Sequence, residues 1–513
     1  MNLLSVARDA TVPIDPEWIQ DWHDLDDPDE ALRTLLDSAW RAASALNGSD
    51  VIAITAMLRR AAEQKSRFRH AVPRDELETL IAVGSLWEGD LQQAMSLAQS
   101  ILARGTAARY RCTLTTVMKC YFWRTRDFTP FYALCRGRTP RKHAASVLLA
   151  TINLSMEAAA EAEQLRFKLA ERLATDALSL CNASLGAQSN ASLFPTSLLA
   201  QLHYEAGAVD EADALMRGRL TPIEECGATE SALIAYTLSA KIAAARGNRN
   251  VALLLLQRGE EVGRQQRWFR LVLRCKEEEV ALRIHEGRID LAEAALQQMR
   301  LFFEELDVTS RPRDIDAWPL QMAGFRVQLA NGPCVRMARS LDELRNAALH
   351  RNHPALVVKI TILLSSALYA LGQVSRARDE LLAALYQGAN AGLYRSFLDD
   401  MPLIETLLRQ LWRSPEAGLG HLGPYVGRLL TVPSMHPSVR KKFRTNHRLV
   451  ESLSTRETII LRLISLGLSN KSIARELQIT PETVKSHAKH IFIKLASKNR
   501  AEAVSRAAEL GLI

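Results

Sequence analysis

Residues 453–513 read LSTRETIILRLISLGLSNKSIARELQITPETVKSHAKHIFIKLASKNRAEAVSRAAELGLI, a run of four short helical segments, each with its own start signal. Ser454 is placed to cap the first helix, with Glu457 closing a capping box. Ser469 is placed to cap the second, and Thr480 followed by Pro481 sets a capping hydroxyl and a proline at the start of the third. Asn499 with Glu502 opens the fourth, and Gly511 follows its end. Only Gln478, Ile479 and Thr480 separate the second helix from the third, a link short enough for the steep angle of a helix-turn-helix over about 470–489.

The third segment has two distinct faces. Val484, Ala488, Ile491 and Leu495 recur at helical spacing as an apolar stripe, while Glu482, Lys485, Ser486 and Lys489 occupy the opposite arc. Two lysines four residues apart, near a helix N-terminus that attracts phosphate, suit the major groove of DNA. Taken alone, the same two lysines describe an ordinary solvated face. The DNA reading rests on caps, turn and charge together. The expected core is Ile460, Leu463, Ile473, Leu477, Val484, Ile491, Leu495 and Val504.

With these residues in view, the segment resembles the DNA-binding domain of LuxR-type transcriptional regulators. The resemblance lies at Leu453, Arg456 and Glu457, at Gly467, Leu468, Ser469, Asn470 and Lys471, and at Ile473, Ala474 and Leu477. It continues through Thr483, Val484, Lys485, His487, Ile491, Lys494, Leu495, Arg500 and Ala503. It implies that the third helix enters the major groove, with Lys485, Ser486 and Lys489 facing base edges and Thr480, Thr483, Lys471 and Lys494 near phosphates. His487 and His490 complete the candidate DNA-binding set, although His487 fits equally well as a packing residue at the stripe's edge. Ser472, Ile493 and Ala496 depart from the family pattern, and Ala496 resists the positive φ that a glycine would allow after the third helix.

Composition sets the tail apart from the rest. At 513 residues the chain is too long for one compact core. Its formal net charge is +8, yet residues 436–513 carry 15 Lys and Arg against six Asp and Glu, a surplus of nine that leaves the remainder one negative. A polyanion partner is therefore expected at the tail alone. The seven cysteines are scattered, odd in number and form no CxxC pair, a reduced pattern without zinc-site spacing.

From about Pro28 to Trp412 apolar residues recur at helical spacing, with no alternating strand pattern, so the fold class is all-α. A glycine followed five residues later by a small residue recurs at Gly89/Ala94, Gly207/Ala212, Gly247/Ala252, Gly287/Ala292 and Gly372/Ala377. Gly332 with Met337 and Ala338 is a looser copy, and weaker copies are expected around Arg126 and Leu165. Helix pairs repeating near 40 residues imply an α-solenoid of tetratricopeptide-like (TPR-like) units ahead of the four-helix tail. This array is similar to that of MalT-type regulators, a LuxR-type subgroup, as is the run GLYRSFLDD from Gly392. The resemblance implies a sensor and docking role for the array. The expected division is 1–412 for the array, 413–450 for a Gly/Pro-punctuated basic linker and 451–513 for the helix-turn-helix domain.

Three further readings complete the expectations. Trp268, Phe269, Phe302, Phe303, Trp318, Tyr369 and Tyr386 read as packing between repeats, and the Glu run in CKEEEVALR from Cys275 as a solvated face. ALVVKITILLSSALYALG from Ala355 has the length of a membrane span, but it carries Lys359 and sits inside the repeat pattern, so no membrane partner is expected. No secretory signal is apparent, and the expected location is the cytoplasm, with the chain nucleoid-associated when bound.

No GxxxxGK[ST], HExxH or GxSxG occurs, so no cofactor, metal or enzyme activity is expected, and the phosphate loop of the ATP-binding module that many MalT-type regulators carry does not occur in these residues. The expected function is sequence-specific transcriptional regulation, probed by an effector, small molecule or protein, on the repeats. The expected partners are double-stranded DNA and RNA polymerase, with a dimer on DNA. The rival reading is a helical-repeat interaction scaffold with a vestigial DNA-binding tail.

Overall fold

The computed structural model describes residues 28–44, 48–64, 73–135, 144–226, 229–306, 317–413, 419–431, 455–494, 497 and 499–509. Every regular element among them is helical. Internal contacts divide the chain into two compact units, Met1–Glu278 with Val308–Trp318 and Arg351–Ala355, and Glu279–Asp307 with Pro319–His350 and Leu356–Ile513.

The helices follow one another as pairs joined by short turns. The first pairs are α1 (Pro28–Ser44) with α2 (Gly48–Gln64), α3 (Arg74–Glu88) with α4 (Leu91–Arg104), and α5 (Ala108–Arg124) with α6 (Phe128–Cys135). Next come α7 (Ala144–Glu163) with α8 (Phe167–Leu185), and α9 (Leu193–Glu205) with α10 (Val209–Met216), followed by the short α11 (Leu220–Cys226). Then follow α12 (Thr229–Ala245) with α13 (Arg249–Gln265), α14 (Phe269–His285) with α15 (Ile289–Glu305), α16 (Trp318–Asn331) with α17 (Val335–His350), and α18 (Pro354–Ala370) with α19 (Val374–Ala391). The short α20 (Arg395–Leu398), α21 (Met401–Arg413) and α22 (Gly423–Thr431) close the array.

The turn inside most pairs is the glycine feature of the sequence. At Gly247 φ is +81°, Gly247 N–H donates to Ala244 O, and Asn248 N–H reaches back to Ala243 O at 2.8 Å, a Schellman end that satisfies two orphan carbonyls. Ala252, five residues past the glycine, is fully buried, as are Ala94, Ala212, Ala292 and Ala377, so the partner helix comes close at that point. The two weak copies keep the geometry without the glycine. Arg126 and Leu165 take φ of +58° and +59°, the same reach-back bonds form from Asp127 to Phe122 and from Arg166 to Glu161, and Phe131 and Ala170 fill the small-residue position at full burial.

The first helix of a pair is enclosed and the second is half-solvated. In α18, twelve positions between Val357 and Tyr369 are buried, whereas α19 buries only Ala377, Leu381, Ala384, Leu385 and Gly388. This explains the membrane-like look of residues 355–372: a helix packed on several faces needs apolar side chains all round. Among the described residues no helix is long and apolar enough to cross a membrane.

Two expectations need correction. The Glu run after Cys275 is not a solvated face: Lys276 and Glu277 are buried, Lys276 pairs with Glu260 at 2.9 Å, and Lys241 pairs with Glu278 at 2.9 Å. Consecutive carboxylates splay around α14, and the enclosed surroundings of that helix bring cations to each side. Charge also bridges inner helices at Glu230, which meets Arg270 at 2.5 Å and Arg124 at 3.2 Å. Burial opposes ionisation of Glu230, but Arg270, Arg124 and Arg126 outweigh it and hold the carboxyl below its ordinary value. Of the aromatic set, Phe302, Trp318 and Tyr369 are buried, while Tyr386 is 38% exposed and meets the His421 ring at a tilt of 58°.

The second correction concerns the stretch expected as linker, where residues 423–431 form α22. Tyr425, Val426 and Leu429 are buried, and the Tyr425 hydroxyl donates to Leu393 O in the GLYRSFLDD run. Residues 432–454, including Arg440, Lys441, Lys442, Arg444 and Arg448, lie outside the described residues.

Candidate nucleic-acid interface

Four helices, α23 (Thr455–Ser465), α24 (Asn470–Glu476), α25 (Pro481–Lys494) and α26 (Arg500–Glu509), follow the start signals of the tail. The Ser469 hydroxyl accepts from Ser472 N–H at 3.2 Å, the Thr480 hydroxyl from Thr483 N–H at 3.2 Å, and Asn499 Oδ1 from Glu502 N–H at 2.9 Å. Ser454, Leu495, Ala496 and Gly511 lie outside the described residues, so the first cap and the turn after α25 are not placed.

The core belongs to the tail itself. Ile460, Leu461, Ile464, Ile473, Ala474, Val484, Ala488, Ile491, Ala503 and Ala507 are buried together, with Leu463, Leu468, Leu477, Ile479, Phe492 and Val504 packed around them. Leu461 and Ile464 were not singled out from the sequence, and Leu463, Leu477 and Val504 sit at the margin. In the IILRLI run of α23, where apolar residues fill every position but Arg462, periodicity does not choose the inward phase.

Both turns of the helix-turn-helix repeat the array's device. Gly467 (φ +81°) lets Leu468 N–H reach Leu463 O, and Gln478 (φ +53°) lets Ile479 N–H reach Ala474 O at 3.0 Å. Two arginines brace these turns. Arg500 donates to Leu468 O and, at 3.4 Å, to Ile464 O and Asn470 Oδ1, and Arg456 donates to Leu477 O at 3.0 Å. Sequence matching flagged both arginines without assigning them this task.

On α25 the buried Val484, Ala488 and Ile491 set the inward direction, so Lys485, Ser486 and Lys489 stand exposed on the other side with His490. Thr480 and Thr483 are exposed and joined hydroxyl to hydroxyl at 2.8 Å, and Lys471 is exposed on α24. His487 is half-buried at the edge of the stripe. Lys494 ends α25, and its side chain lies outside what is described. Lys485 Nζ lies 3.8 Å from Glu482 Oε2, an exposed i, i+3 pair of small energetic weight. Arg475, exposed one turn after Lys471 on α24, is a further cation that the sequence reading passed over. Among the described residues no His, Cys, Asp and Glu group could hold a metal ion.

A family model described as "Bacterial regulatory proteins, luxR family" matches residues 451–507, and one described as "MalT-like TPR region" matches residues 138–414, more than half of the chain. The chain belongs to the MalT-like TPR family and carries a luxR-family domain at residues 451–507. It is 40% identical over 130 residues to the nitrate/nitrite response regulator protein NarL of Escherichia coli, covering 25% of this chain and 55% of that protein. It is 29% identical over 208 residues to the HTH-type transcriptional regulator MalT of Serratia proteamaculans, covering 36% of this chain and 22% of that one. The MalT of Klebsiella pneumoniae is 27% identical over 207 residues, with the same two coverages. The chain thus spans about half the length of NarL and about a fifth of the MalT proteins. The MalT relatives are named as HTH-type transcriptional regulators, and NarL as a response regulator protein.

Proposed function

We propose that this chain regulates transcription by binding specific double-stranded DNA through α25, with the helical repeats receiving the signal. The observation that carries the reading is the outward arc of α25, where Lys485, Ser486 and Lys489 stand exposed on a helix braced by its own capped turns and core. An ammonium group there can donate to the O6 and N7 acceptors of guanine. Thr480, Thr483, Lys471 and Lys494, with His487 and His490, supply contacts to the phosphates flanking that groove. Residues 451–513 act as the DNA-binding domain, the helical array up to α22 as the sensor and 432–450 as the connection between them. The partners are DNA bound as a dimer, RNA polymerase, and a small-molecule or protein effector on the repeats. An effector with different affinity for the DNA-competent and DNA-incompetent states shifts the balance between them.

Binding titrations on matched and scrambled duplexes at several salt concentrations test the division of labour. Lys485→Ala and Lys489→Ala should each cut the matched-to-scrambled ratio by about 1–3 kcal/mol. Lys471→Ala should weaken both duplexes alike and make the slope of log K against log salt shallower by about one. A ratio left intact by both α25 substitutions would transfer the reading to an interaction scaffold with a vestigial tail.

A further inference from the structure

Glu482 is the one carboxylate among the described side chains on the outward arc of α25. It sits within the first turn, and its side chain is 83% exposed. At 100° per residue, Lys485, Lys489, Glu482 and Ser486 fall in that order within an arc of about 100°, so Glu482 shares the cationic face, flanking the two lysines on the Ser486 side. A carboxylate in that place is costly on a surface that approaches a polyanion. Its benefit to the helix N-terminus is small and would be equally available from the side of the helix. Its recorded ion pair, Lys485 at 3.8 Å, is too exposed to explain it.

The major groove supplies a different explanation. Only the amino groups of cytosine and adenine donate hydrogen bonds there, and a carboxylate accepts from cytosine N4. Guanine, the partner of cytosine, presents only the O6 and N7 acceptors, which suit the Lys485 ammonium. We propose that Glu482 is a specificity-determining residue that reads cytosine, and that with Lys485 it selects a C·G pair at one operator position. This rests on α25 being the reading helix. The two side chains act together: the carboxylate rejects a base edge made only of acceptors, and the ammonium rejects an edge that presents an amino group.

Replacing the charge while keeping the shape gives a directional test. A glutamine binds the N6 and N7 edge of adenine with two hydrogen bonds. Full-length protein and its Glu482→Gln variant would each be used to select duplexes from a randomised pool, and the preferred sites then titrated. Parental protein should prefer C·G at one position by about 5- to 150-fold, and Glu482→Gln should move that position to A·T while leaving the others unchanged. Lys485→Ala should relax the same position or its stacked neighbour. The inference is overturned if Glu482→Gln selects the parental site unchanged, or if it merely tightens binding to every sequence as loss of a repelling charge would. Failure of the underlying reading looks different, because the parental protein itself would then enrich no sequence.

Discussion

If a positive φ is what both turns of the helix-turn-helix store, exchanging their residues should move stability in opposite directions. A Cβ added at Gly467 would meet no atom within 4 Å, so Gly467→Ala changes the backbone energy and little else. A left-handed residue other than glycine costs about 1–2 kcal/mol, and the stiffer unfolded chain returns about 0.4–1 kcal/mol. The net expected loss is therefore about 0.8 kcal/mol, within about 0–1.6 kcal/mol. Gln478, exposed at φ +53°, is the mirror case, and Gln478→Gly should raise stability by a similar amount. For a domain of about 60 residues, 1 kcal/mol moves the midpoint by about 4–8 °C. Thermal unfolding of a 451–513 fragment, followed by far-UV circular dichroism, should therefore separate the two variants by several degrees on either side of the parent. Were Gln478→Gly to lower the midpoint as Gly467→Ala does, the strain assigned to that turn would be wrong.

Other expectations concern burial and charge. In the same fragment Ile473→Ala should cost about 2–5 kcal/mol, because Ile473 is fully buried, and Leu477→Ala about half as much because Leu477 lies at the margin; urea midpoints should rank them so. An equal cost for the two would misplace the core. The array should weaken on acidification. Glu230, although desolvated, is held below its ordinary 4.5 by Arg270, Arg124 and Arg126, and Asp213 below its ordinary 3.8 by hydrogen bonds from Arg246 and Arg217. A carboxyl lowered in the folded state contributes stability that is complete above the unfolded value and lost as pH falls through the folded one. The melting temperature of the full chain should thus begin to drop below about pH 4.5 and keep falling. A flat profile to pH 3 would show that these pairs contribute nothing.

The most legible parts of the chain were those with local physical causes. Ser469, Thr480 and Asn499 could be placed as caps because a cap is decided within four residues. The glycine-plus-five rhythm was legible for a similar reason, since a left-handed turn and a close helix approach restrict residue type at both ends. Arg126 and Leu165 were fainter because surrounding contacts hold the same turn and free the position from glycine. What could not be read was long-range. Lys119, almost fully buried, is matched by Glu157 at 3.1 Å, 38 residues away, and nothing local announces such a pair. On α25 the periodicity separated the exposed arc from the buried stripe and placed Glu482 on that arc, yet gave it no role among its cationic neighbours.

The enclosed helix Pro354–Ala370 also bears on how the chain is made. Its outer partner, Val374–Ala391, is synthesised afterwards, and at about 5–20 residues per second the apolar segment waits about 1–4 s for that cover. During that interval the nascent chain presents to the ribosome's surroundings a stretch that targeting factors and the translocon could mistake for an insertion signal. Lys359, half-buried in the finished fold, sits within it. A lysine at the centre of such a stretch raises the insertion cost by about 2.5–3.5 kcal/mol, and Lys359, short of the centre, adds part of that. Half-buried in the finished fold, that one charge would count against delivery to the bilayer while the segment is still uncovered.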